Sequence, residues 1–141
     1  MASYRELMQM VVDASDDQRI ALGKQALGDA IKIFIKYGLT QDQTLIFIKD
    51  LIKLFVGADG TCSKRELDLV NAICECHFSE ETFYEMTKDG DNPEFVEKIL
   101  DVIDSIPSNE KTGLCLFGLA ILASDEEMNQ KEQNLFIRIS E

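Results

Sequence analysis

Apolar residues recur along this chain at intervals of three and four, and stretches that alternate between polar and apolar are nearly missing. That is the period of an α-helix with one face turned to a core. With prolines only at 93 and 107, the chain reads as all-α. Ser3 and Glu6 form a capping box ahead of Leu7, Met8, Val11 and Val12, which predicts a short first helix to about Ala14. A second helix starts between Ser15 and Asp17 and carries Ile20, Leu27, Ile31, Phe34 and Ile35 near one face. Gly23 and Gly28 are expected to bend or split it, and Gly38 to stop it.

Thr40 with Gln43 opens the next helix, whose body from Leu45 to Val56 is apolar on nearly every side. Beyond a loop at Gly57–Cys62, Ser63 and Glu66 form a capping box ahead of Leu67, Leu69, Val70 and Ile73. A short helix follows Ser79. Asn92 before Pro93 caps another, with Phe95, Val96, Ile99, Leu100, Val102, Ile103 and Ile106 as its stripe until Pro107. Leu114 to Leu122 is again apolar all round, and Asn129 with Glu132 caps a last helix bearing Leu135, Phe136 and Ile139. Residues 42–57 and 112–124 are therefore expected as central helices in mutual, antiparallel contact, with Phe55 and Phe117 buried.

A shift of 66 residues lays Asp59 on Asp125, Glu66 on Glu132, Leu69 on Leu135 and Ile73 on Ile139. Each unit, about 27–77 and 93–141, reads as an amphipathic helix, a buried helix, an Asp loop and a capped helix. Two such hairpins cover each other's apolar helices when packed about a rough two-fold axis. The expectation is a single-domain bundle of about seven helices with a pseudo-two-fold repeat and both Asp loops at related positions.

Composition narrows the possible functions. The 141 residues, 45% hydrophobic, suffice for one core. The four cysteines at 62, 74, 76 and 115 lie in apolar stretches rather than framing short loops, which points to a reducing cytoplasm. The N-terminus lacks the pattern of a secretory signal, and the most apolar stretches fall short of the ~20 residues that span a bilayer. A net charge of −12 repels phosphate, so nucleic acid and anionic membranes are excluded as partners. A protein partner with a basic surface fits, membrane-associated ones included, as do cations.

The run Gly57-Ala58-Asp59-Gly60-Thr61-Cys62-Ser63-Lys64-Arg65-Glu66 resembles the signature of the TerB family of tellurite-resistance proteins, in which Ala-Asp-Gly is followed several residues later by Glu. Ala123-Ser124-Asp125-Glu126-Glu127-Met128-Asn129-Gln130-Lys131-Glu132 is similar to that family's second copy, with Glu126 where Gly is usual. The resemblance implies a compact helical domain with a pseudo-repeat, a divalent-cation site at the acidic loops, a place in bacterial stress response and no enzymatic activity. The expected metal ligands are Asp59, Glu66, Asp125, Glu126, Glu127 and Glu132, with calcium as one candidate ion, since hard cations seek clustered carboxylate oxygens. An EF-hand is excluded: with Gly60 at the sharp turn, Phe55 and Gly57 occupy the first and third ligand positions. The same residues also read as ordinary turn and capping chemistry.

Cys74-x-Cys76-His77 has the look of a zinc half-site, but residues two apart on a helix do not share a face and no second pair completes four ligands. His77 is the only histidine, and nothing nearby orients it as a catalytic base. No phosphate loop or nucleophile elbow occurs. The chain is expected to be non-enzymatic: either a cation-responsive adaptor or a metal-independent acidic interaction module.

Overall fold

In a computed structural model, residues 4–57, 63–122 and 130–140 are described, and all regular structure among them is helical. The order is α1 Tyr4–Val12, α2 Asp16–Lys36, α3 Gln41–Gly57, α4 Lys64–Cys74, α5 Glu80–Thr87, α6 Pro93–Asp104, α7 Ser108–Leu122 and α8 Gln130–Ser140. Eight helices thus stand among the described residues where about seven were expected. None of them is long and apolar enough to cross a membrane.

Side chains that bond to the first free amides set most of the helix starts. Ser15 Oγ accepts from Gln18 N while Gln18 Oε1 accepts from Ser15 N. The same reciprocal pair joins Thr40 with Gln43 and Ser63 with Glu66. Ser79 and Asn92 cap α5 and α6, with Pro93 in the first turn. The boxes expected at Ser3 and at Asn129 involve residues outside the described ones.

One cluster of buried side chains draws on all eight helices. Its spine is α2 against α7, the most extensive helix pair. The face that α2 buries is Arg19, Gly23, Ala26, Ala30 and Phe34, largely small residues that let a neighbouring backbone approach closely. Of the large residues expected on the buried face Phe34 lies on it, whereas Ile20, Leu27 and Ile31 are only half-buried and Ile35 is exposed. Gly23 and Gly28 do not interrupt the helix. Gly23 lies against Ile73 of α4, whose methyl would stand 2.5 Å from an added β-carbon.

Phe55 and Phe117 are fully buried, and α3 touches α7 as expected. The direction differs. Lys36 and Tyr37 at the end of α2 reach Glu110 at the start of α7, so these two helices run antiparallel. Phe47, in the first half of α3, packs edge-on against Phe34 near that same end of α2, at 4.8 Å. Phe55 then lies against Gly118, in the last two turns of α7. α3 and α7 therefore run in the same general sense. The outer face of α3 also departs from expectation: Leu45 and Ile46 are 51% and 61% exposed. The repeat units are unevenly packed, because α6, the counterpart of α2, covers α3 much less than α2 covers α7.

Candidate functional site

Glycine shapes the end of the bundle where α3 and α7 finish. The Phe55 and Phe136 rings stack there with centroids 5.3 Å apart and planes 8° from parallel. A β-carbon on Gly118 would stand 2.8 Å from the first ring and 2.9 Å from the second, so only a glycine on α7 lets both rings seat. At ~1.5 Å of rise per residue, Gly57 lies about 3 Å beyond Phe55 along its helix, and Leu122 about 6 Å beyond Gly118 along its own. The chain thus enters both acidic connections from the same end of the bundle. Each helix C-terminus adds a partial negative charge of about half an electron there.

Gly57 is the last residue of α3 rather than part of the loop, and it meets the turn after α5 backbone to backbone. A β-carbon on Gly57 would stand 2.6 Å from the Gly90 Cα, and one on Gly90 2.2 Å from the carbonyl oxygen of Lys53. That turn is fixed further by Asp89, at φ 63°. The first connection therefore departs from a helix end clamped on one side by residue 90 and on the other by the Phe55–Phe136 stack.

Of the expected metal ligands, Asp59, Asp125, Glu126 and Glu127 lie outside the described residues. Glu132 belongs to α8, with its side chain likewise outside the described set. Glu66 is buried at the start of α4, and its Oε1 accepts from Ser63 N at 2.8 Å. One of its oxygens is thereby committed to the helix cap rather than to solvent. Among the described residues no three or more His, Cys, Asp or Glu side chains converge as a metal site would require.

No protein-family model, curated protein or solved structure matches this chain. What the molecule can do must be judged from its own chemistry.

The Cys74-x-Cys76-His77 stretch proves to be a helix end and its turn. Glu75 adopts the left-handed conformation at φ 54°, closing α4. Asn71 then clamps the turn: its Oδ1 accepts from Phe78 N at 2.9 Å and from the Cys76 thiol at 3.3 Å, while its Nδ2 donates to Phe78 O at 3.1 Å. Burial pushes the Cys74 thiol up to about 12, with Cys76 adding to the rise. Burial likewise raises Cys76, and it pushes Cys115 up to about 11 although Lys111 pulls the other way. Thiols held protonated at neutral pH are poor nucleophiles.

Two polar junctions escaped the sequence reading. Arg19 is 7% exposed and closes α1, donating from Nε to Val11 O at 3.0 Å and from Nη2 to Val12 O at 2.8 Å. Its Nη1 binds Asp16 Oδ1, which also accepts from Arg65 of α4, so the carboxylate ties α2 to α4 while Arg19 ties α2 to α1. At the other junction Asp104 of α6 takes both Arg138 guanidinium nitrogens of α8, at 2.9 and 2.7 Å. The buried Lys111 of α7 lies 3.9 Å from the same carboxylate. An Arg four residues into a helix after an N-cap serine is the only sequence signal for the first junction, and nothing local signals the second.

Proposed function

We propose that this protein is a non-enzymatic, TerB-like adaptor that takes up a divalent cation weakly at its second acidic stretch, 125–132, and presents an altered surface to a protein partner. The observation that carries the reading is the common end at which α3 and α7 finish: two helix C-termini set their partial negative charge on one side of the bundle, and each is followed in sequence by carboxylates. A cation relieves the repulsion among Asp125, Glu126, Glu127 and Glu132, four carboxylates within eight residues. The first connection contributes less, because the Glu66 carboxylate already serves its helix cap. The cysteine pattern supports a cytoplasmic setting, and the resemblance to TerB proteins supports a role in bacterial stress response.

Calcium titration against thermal unfolding, at constant ionic strength set with sodium chloride, tests this. Without a dedicated calcium loop the dissociation constant is expected near ~10⁻⁴–10⁻³ M. Ten-fold excess over it adds about 1.4 kcal/mol, a rise of a few degrees in Tm. Asp125→Asn should remove most of that calcium-specific increment and Asp59→Asn little of it. If calcium adds nothing beyond matched sodium in the wild type, the cation reading fails. The metal-independent interaction module then stands, favoured by the exposed apolar pair Leu45 and Ile46.

A further inference from the structure

Five residues of α3 fall along one line of its surface: Asp42, Leu45, Ile46, Lys49 and Lys53, at spacings i, i+3, i+4, i+7 and i+11. Leu45 and Ile46 are more than half exposed, Asp42 and Lys49 are exposed, and the Lys53 ammonium lies 4.5 Å over the Phe95 ring of α6. Most of the remaining helix is buried, including Phe47, Ile48, Leu51, Ile52, Leu54 and Phe55. Large aliphatic side chains left uncovered on a helix otherwise packed into the core mark a surface that gains by being covered.

The order of residues along the line says by what. An acid stands at the start, two aliphatics in the middle and a base beyond them. Rotated about an axis between Leu45 and Ile46, a second α3 sets its Lys49 opposite Asp42 and its Ile46 against Leu45. We propose that this face docks a second copy of the chain, α3 antiparallel on α3, in a two-fold interface. Charge separates this from other occupants. A basic partner drawn to the −12 surface would meet Lys49 and Lys53 on this face. A second copy brings its own Asp42 to each Lys49, and at physiological salt the repulsion between the two −12 molecules is screened beyond about 8 Å. Two helical turns cover less than the ~800 Å² per partner of a standard interface, so the dimer is weak and exchanges rapidly. The pairing does not depend on cation binding at the acidic connections.

Sedimentation equilibrium of the full chain at physiological salt, over a series reaching millimolar protein, tests it. The wild type should move from monomer toward dimer mass as concentration rises. Ile46→Glu, at an exposed position and with folding verified by circular dichroism, should stay monomeric throughout. Asp42→Lys and Lys49→Asp each set like charges across the axis and should weaken association at least about ten-fold. The double variant Asp42→Lys with Lys49→Asp restores opposite pairing and should recover it. A wild type that stays monomeric, an Ile46→Glu protein that associates as the wild type does, or a double variant no better than the singles would each overturn the proposal.

Discussion

Phe55 touches three structural decisions at once: it lies in the last turn of α3, it stacks on Phe136 of α8, and it occupies the space left by Gly118 of α7. Truncating it removes a fully buried ring from between α3, α7 and α8. Phe55→Ala should therefore lower unfolding stability by about 3–5 kcal/mol in denaturant titration. A loss under about 1 kcal/mol would show that the ring is not in the core. Gly90 makes the opposite demand, for emptiness. An added methyl there meets the Lys53 carbonyl and the Gly57 Cα, both backbone, so neither can rotate aside. Gly90→Ala should cost on the order of 3 kcal/mol, the upper part of the overpacking range. Gly23→Ala offers the contrast, since its obstacle is the end of the Ile73 side chain, and a smaller loss in the same titration is expected.

Among the elements, Asp104 gives a test of how helices are tied together. Hydrogen bonds from Arg138 hold its carboxyl below the ordinary value of 3.8, helped by the charges of Arg138 and Lys111. A folded pKa below the unfolded one adds stability that is present above the unfolded value and lost as pH falls through the folded one. Asp104→Asn should thus lower Tm at neutral pH, and its deficit against the wild type should shrink on acidification below about pH 4. A deficit unchanged at low pH would mean the carboxylate is not what joins α6 to α8. Helix starts were legible because a cap is local: Ser15, Thr40, Ser63, Ser79 and Asn92 bond amides two or three residues away. The faces were less so. A stripe of large residues marks a buried face only when the neighbouring helix stands off, and α2 instead buries Gly23, which lies against Ile73 of α4, with Ala26 and Ala30. In α3 an all-round apolar sequence reported the average environment and hid the exposed pair at 45 and 46. Of the candidate site, Glu66 was read both as an expected ligand and as a cap, and the structure shows it acting as the cap.

The whole molecule carries 26 acidic and 14 basic side chains, and that imbalance acts on every contact described above. At low ionic strength the Debye length is about 30 Å at 0.01 M, so each carboxylate feels charges across most of the bundle, and the compact state is destabilised by its own repulsion. Raising sodium chloride to 0.15 M shortens that reach to about 8 Å. Short pairs such as Asp104–Arg138 at 2.7 Å and Lys36–Glu110 at 2.9 Å lie well inside it and lose little. Many weaker repulsions over longer distances lose most of their strength. Tm should therefore rise between ~0.01 M and ~0.15 M sodium chloride, then level off once only close pairs remain unscreened. Chloride is the anion to use, since sulfate stabilises folded proteins by exclusion from their surfaces whatever their charge. A Tm that fell over this range would mean that specific ion pairs outweigh the net charge. Calcium would then have to act against that trend, and the matched-sodium control would change sign with it.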